Sequence, residues 1–291
     1  MKVTTNNSVD LHTHSYCSDG TFSPEGLVIL AKRTGLRAIA LTDHDTTEGI
    51  EAFQEAGRKH NIEAIAGIEL AARCQLFHQP ELHIVGLRIQ PDAPALVEMM
   101  AEIYQSRIMR NKKMVQNLCD IGLSLTLADI EQCAGGEIIT RAHFARALMQ
   151  KGYIATMGDA FQKYISPGMA GYEERELFST EACIAGIHQA DGVAILAHPT
   201  LYDLSYDQLD TLCGDLKAKG LDGIECYYST FTPAQRKNML RLAKKFDLLP
   251  SGGSDFHGEN KPNIRLGTGK NNGNLPIPYE IWEAIKNHEK E

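Results

Sequence analysis

No uninterrupted apolar run in the 291 residues approaches the roughly 18 that a membrane-spanning helix needs. The N-terminus also lacks a basic segment followed by an apolar one, so a soluble, cytoplasmic protein is expected. Cysteine pairing motifs are missing too. The seven cysteines (Cys17, Cys74, Cys119, Cys133, Cys183, Cys213, Cys226) are odd in number, dispersed, and form no C-x-x-C pair. That excludes this signature of a structural zinc or redox dithiol and leaves reduced thiols used for packing. Positive charge is scarce: 29 Lys and Arg against 37 acidic residues give a formal charge of -8. A broad footprint for duplex DNA is thereby excluded, but a small phosphorylated ligand or a short single strand entering a pocket is not. Repeats and low-complexity tracts are absent. With 43% apolar composition, the chain can bury one large core, enough for a barrel-sized domain with an inserted subdomain.

The first 90 residues alternate short apolar runs with amphipathic stretches: 8–11, 24–34, 38–41, 47–60, 62–68 and 82–89. This pattern predicts strand and helix in alternation. Ser23, Pro24 and Glu25 supply an N-cap, a first-turn proline and an early acid, and Gly35 follows the helix end. From 91 to 178 the pattern changes to successive helical periodicities (95–119, 127–133, 141–151, 159–164) and closes in the turn-rich stretch 166–171. A helical insertion is predicted there. Alternation resumes with a helix to Ala190, a strand at 193–197, a helix at 205–219, a strand at 223–227, a helix at 233–246 and a strand at 249–252. A Gly- and Asn-rich loop at 258–274 and a final helix at 279–288 complete the chain. The expected architecture is an α/β barrel of about seven strands, formed by 1–90 and 179–291, with 91–178 covering its C-terminal face.

Nearly every predicted strand ends in a histidine, aspartate or glutamate, and in parallel α/β architectures that edge binds ligands. His12 and His14 close the first strand, and their i, i+2 spacing in an extended chain points both imidazoles to one face. Asp19 follows on the next loop. Asp43, His44 and Asp45 close the second strand and Glu69 the third, while His83 opens the next run. His198, Glu225, Asp255 and His257 end the later ones. Nitrogen and carboxylate donors without thiolates suit zinc, manganese or iron in an open catalytic site. An isolated H-x-H is weak evidence, and a single buried histidine or carboxylate is more often structural. Here six of the eleven histidines fall in strand motifs of one architecture, and the other five do not.

The ordered set H-x-H, S-D-G, T-D-H, G-x-E, H, A-H-P and G-S-D-x-H resembles the polymerase and histidinol phosphatase (PHP) superfamily of metal phosphoesterases. Cys17 to Thr21 with Ser23 to Glu25, and Ile139 to Ala145 in the insertion, resemble the branch of 3′,5′-nucleoside bisphosphate phosphatases and the 5′-to-3′ exoribonuclease RNase AM. The resemblance implies a distorted barrel of (β/α)7 type and three divalent metals. One metal would be held by His12, His14, Glu69 and Asp255. A second would be held by the bridging Glu69 with His83 and His198, and a third by Asp19, His44 and His257. Metal-activated hydroxide would then be the nucleophile, with no covalent enzyme intermediate. Glu69 and His198 would take part in the catalytic step, and Asp43, Asp45 and Glu225 would orient ligands or shuttle protons.

Arg141 and His143 start a predicted helix, where amides also favour anions. A planar guanidinium grips phosphate through two bonds, so Arg141 is expected to hold a second substrate phosphate. His143 is expected to assist it or to protonate the leaving oxygen. Tyr227 or Tyr228 is a candidate for stacking a base; for both, packing is the commoner use. The leading expectation is hydrolysis of the 3′-phosphate of nucleoside 3′,5′-bisphosphates by a monomer, with trimming of short 5′-phosphorylated RNA as its near neighbour. A histidinol-phosphate-type phosphatase, an amidohydrolase and a non-catalytic metal-binding module are the alternatives. The insertion motif argues against the first two and the complete ligand set against the third.

Overall fold

The computed structural model describes residues 7–78, 81–270 and 275–289, so residues 271–274 of the Gly- and Asn-rich stretch lie outside it. Ser23 accepts the Gly26 amide at 2.9 Å and Gly35 closes the same helix at φ 78, as the local chemistry requires. In chain order the elements are β1 (Val9–Asp10), α1 (Pro24–Thr34), β2 (Ala38–Leu41), α2 (Ile50–His60), β3 (Glu63–Arg73), β4 (Leu82–Leu87), α3 (Pro94–Asp120), α4 (Leu127–Glu131), α5 (Arg141–Gln150) and α6 (Met157–Ala160). They continue with β5 (Phe178–Ser179), α7 (Thr180–Gln189), β6 (Val193–Leu196), α8 (Tyr206–Ala218), β7 (Gly223–Tyr228), α9 (Pro233–Lys245), β8 (Leu249–Gly253), β9 (Ile264–Arg265), β10 (Gly269–Lys270) and α10 (Tyr279–Lys286).

Seven strands follow one another around a barrel in the order β1-β2-β3-β4-β6-β7-β8, with β5 added beside β3. The barrel nearly closes: Leu11 donates to the Gly252 carbonyl at 3.2 Å, and Thr13 bridges to Phe256 in parallel. All neighbours on this path are parallel except β4, which runs antiparallel to both β3 and β6. The reversal explains why His83 opens its strand while His12, His14, His44, His198, Asp255 and His257 follow theirs. An antiparallel strand brings its N-terminal end to the edge where its neighbours end. Glu69 and Glu225, expected to close their strands, instead lie within β3 and β7; β3 runs on past Glu69 to pair with β4.

Strand alternation divides the core in two. Ala38, Ala40, Ile65, Val85, Leu87, Val193 and Ile195 pack inside the barrel, and α10 plugs its lower end with Trp282 and Ile285. The alternate residues, Ile39, Leu41, Ile84, Ala194 and Leu196, face the surrounding helices. Glu69 and His83 continue the inward rows of Ile65 and Val85, so the polar residues crown the barrel interior. A third apolar cluster is built from Met114, Leu118, Ile130, Phe144, Leu148, Ile154 and Ile165 among others. The 27-residue α3 spans both regions: Leu96 to Ile103 join the outer core, whereas Met114 and Leu118 join the third cluster. The expected helix at 159–164 is a short α6 that passes into a π-helical turn, Phe161–Ile165.

Candidate metal centre

Glu69 is the hub of the site. Its Oε1 lies 2.8 Å from His83 Nδ1 and 3.0 Å from His198 Nε2, and its Oε2 lies 3.2 Å from Nε2 of both His12 and His14 and 3.1 Å from His44 Nδ1. Five imidazoles thus converge on one carboxylate that is 1% exposed. Asp255 Oδ1 stands 3.3 Å from both His14 Nε2 and His257 Nδ1, and Asp19 Oδ1 stands 3.2 Å from His257 Nε2. All nine residues expected as ligands therefore meet in one place.

Three groups within it have donor atoms close enough to share a cation: His14, Asp19, His44 and His257; His12, His14 and Glu69; and His44, Glu69 and His83. This division differs from the one implied by resemblance. His14 and His44 each stand between two groups, whereas His198 and Asp255 belong to none of the three: His198 reaches the site through Glu69, and Asp255 through His14 and His257.

Surrounding groups fix the imidazole orientations. Glu225 accepts from His12 Nδ1 at 2.9 Å, leaving Nε2 with its lone pair toward the site. Glu81 does the same for His83 at Nε2, also at 2.9 Å, and the Asp255 carbonyl takes His257 Nδ1 at 2.9 Å. Asp43 binds the Ser15 amide at 2.8 Å and the hydroxyls of Ser15 and Ser18 at 2.5 Å, which folds the loop that carries Asp19. The S-D-G motif needs its glycine, because a Cβ on Gly20 would lie 2.1 Å from the His14 carbonyl oxygen. Asp45 (φ 54), His198 (φ 30) and Asp255 (φ 55) hold left-handed backbone, an uncommon conformation that clusters at functional sites.

The residues present fit divalent cations. Asp19 Oδ1, Glu69 Oε2 and His198 Nδ1 are buried without a hydrogen-bond partner, although buried polar atoms normally have one. Nε2 of His12 and of His14 face each other at 3.1 Å, a contact that a shared cation would satisfy. The acidic and basic groups of the site also shift one another strongly. Burial would raise the Glu69 carboxyl, but His12, His44 and His83 hold it well below the usual range. Burial disfavours the imidazolium of His83, yet Glu69 and Glu81 push it up to about 10; in His44, burial prevails and lowers it to about 3.

Beside these clusters, α3, α5 and the segment around Tyr172 wall a cleft of about 140 Å³ that includes Asp19, His44, His83, Arg107, Arg110, Arg141 and Arg175. Arg141 lies on its wall, 5.8 Å from the Tyr172 ring centroid. His143 does not line it. Its Nδ1 accepts the Thr140 amide at 3.1 Å to cap α5, and its ring also bonds the Ser18 backbone. Burial lowers its pKa to about 4. Tyr227 likewise stays away from the cleft, under Arg236 at 5.1 Å from the ring centroid. A β-bulge between Glu225 and Tyr227 breaks the alternation, so Tyr228 shares the site face with Glu225 and donates to Asp255 Oδ2 at 2.6 Å.

Arg107, Arg110, Arg175, Glu81 and Lys261 were not anticipated. A signal existed for two of them, since Arg107 and Arg110 interrupt the buried stripe Leu96, Met99, Ile103, Met114 and Leu118 of α3. The Asp45 carboxylate, expected to orient ligands or shuttle protons, pairs with Arg107 and Arg175.

Partnerless buried donors gathered at the C-terminal edge of an α/β barrel define a metal-dependent hydrolase. The chain matches the PHP domain over residues 10–171 and belongs to that family of phosphoesterases. It is similar to a 5′-3′ exoribonuclease from Haemophilus influenzae, at 36% identity over 95% of this chain and 98% of that one. It is also similar to a 3′,5′-nucleoside bisphosphate phosphatase from Chromobacterium violaceum, at 32% identity over 96% of each. The structure of an amidohydrolase from the same organism, with bound sulfate and no metal, superposes with a TM-score of 0.85 at 30% identity, covering 96% of both chains. No helix among the described residues is long and apolar enough to cross a membrane.

Proposed function

We propose that this metal-dependent phosphoesterase removes nucleotides from the 5′ end of short 5′-phosphorylated RNA and dephosphorylates nucleoside 3′,5′-bisphosphates at the same site. The observation that carries the reading is the arginine cleft beside the metal clusters. Arg107, Arg110, Arg141 and Arg175 line it, and Arg175 Nη1 is buried with no hydrogen-bond partner. Burial and then the neighbouring Arg107, Arg175 and Arg141 hold the Arg110 guanidinium well below its usual range, a sign of concentrated positive potential. A terminal 5′-phosphate would answer that potential while the 3′ phosphoester lies over the metal clusters.

Both reactions break the bond between phosphorus and O3′, and they differ in whether the departing phosphate carries a nucleoside or a proton. RNA comes first because the more similar of the two relatives is an exoribonuclease. The nine ligands would hold two or three manganese, zinc or iron ions, which lower the pKa of water and neutralise phosphoryl charge. Glu69 holds the clusters together, His198 orients against it, and 91–178 serves as the cap that selects substrate.

The test supplies manganese with a 5′-monophosphorylated oligoribonucleotide and with 3′,5′-, 2′,5′- and 5′-only nucleotides. Turnover is expected for RNA and 3′,5′-bisphosphates; failure on both by protein that retains its metals sinks the proposal. Arg141→Ala is expected to raise KM by about 10- to 100-fold, the equivalent of a charge-assisted hydrogen bond, with metal content intact. Unchanged kinetics would remove Arg141 from the site.

A further inference from the structure

Asp255 has two oxygens with unlike surroundings. Its Oδ1 faces His12, His14 and His257, at 3.8, 3.3 and 3.3 Å. Its Oδ2 accepts from the Tyr228 hydroxyl and the Lys261 ammonium, both at 2.6 Å. The carboxylate is 4% exposed and the tyrosine 5%.

Asp255 therefore cannot turn freely in its plane. Two strong donors hold one oxygen, and the other faces the imidazoles of three candidate ligands. The left-handed backbone at Asp255 (φ 55) fixes the direction of its side chain further.

We propose that Tyr228 and Lys261 are positioning residues that make Asp255 a one-oxygen metal ligand. Two features of the fold deliver them. The β-bulge before Tyr227 turns Tyr228 toward the site. Lys261 sits on a turn that is itself anchored: Asn260 donates to the Asp19 carbonyl at 2.6 Å and accepts from Arg146 at 2.6 Å, and the Glu259 amide donates to Thr21 Oγ1 at 3.0 Å. The lysine is thus brought to Asp255 by a braced segment tied to α5 and to the loop of a second ligand. Without its two donors Oδ2 would be free to swing toward the cations, changing both the ligand count and the space left for substrate oxygens.

Tyr228→Phe is the cleanest test, because it removes one hydroxyl without changing charge or ring volume. Manganese affinity is read by chelator competition, which requires no turnover and so does not depend on the substrate. We expect affinity to weaken by about 10- to 100-fold, the usual effect of losing a group behind a ligand. At saturating manganese, kcat should fall while KM stays within about twofold, because neither donor lines the arginine cleft. Lys261→Met should lower kcat as well, and Lys261→Arg, which restores a donor, should recover most of it. A Tyr228→Phe protein with wild-type manganese affinity and wild-type kcat overturns the proposal. Asp255→Asn serves as the reference: if it too binds manganese normally, the assignment of Asp255 as a ligand fails, and the inference with it.

Discussion

Replacing Arg107 with methionine strands a buried carboxylate. Asp45, 1% exposed, has its Oδ2 bonded by Nε and Nη2 of Arg107, the former at 3.0 Å, and by Nη2 of Arg175 at 2.9 Å. Methionine keeps much of the stem's volume but removes those donors, together with the bond from Nη1 to the Ile139 carbonyl at 3.0 Å. Breaking a buried pair by deleting one partner costs about 3–5 kcal/mol. Because Arg175 remains, the lower end applies, about 3 kcal/mol. With an unfolding entropy of about 2 cal/mol/K per residue, that is a fall of roughly 5 °C in melting temperature for 291 residues. The double variant Asp45→Asn with Arg107→Met should lose less than the sum of the two single variants, by about 2 kcal/mol. The pH dependence has a definite sign. Burial would raise the Asp45 carboxyl, but Arg175 and Arg107 hold it down to about 2. The folded value lies below the unfolded one of about 3.9, so the contribution is complete above that pH and is lost as pH falls through about 2. Urea unfolding of the wild type, both single variants and the double variant at neutral pH measures the coupling. Losses additive to within about 0.5 kcal/mol would refute the account.

Two further outcomes follow from the same geometry. Stripping divalent ions should abolish turnover and lower the melting temperature, since each ion at a hundredfold excess over its Kd stabilises the fold by about 2.7 kcal/mol. Calorimetry with and without chelator checks this, and an unmoved transition would contradict a cation-holding site. At the barrel seam, a Cβ on Gly253 would lie 2.2 Å from the Cβ of His12 and 2.5 Å from its amide nitrogen. Gly253→Ala should therefore cost about 3 kcal/mol, and denaturation indistinguishable from wild type would show that the seam yields more easily than its packing suggests.

Local chemistry made much of the fold legible. The Ser23 cap, strand alternation and the glycine after α1 are decided by contacts a few residues apart. The candidate ligand motifs were readable because a barrel strand that is apolar along its length and polar at one end has few structural reasons for that pattern. Which motifs meet was harder to read. His14 and His44 lie between clusters because pairing across the sheet, such as the parallel bridge of His44 to Glu69, sets which side chains meet.

The sequence by itself placed candidate donors of one kind, from His12 to His257, at one edge. Only the tertiary structure decided the surroundings of that edge. An antiparallel β4 placed His83 there, a bulge exchanged Tyr227 for Tyr228, and a helix start occupied His143. Four arginines, on α3, at the start of α5 and just beyond Tyr172, came together across a cleft. The physical reason is range: periodicity and caps act over one or two turns, whereas bulges, strand direction and buried ion pairs depend on partners that lie tens of residues away in the chain.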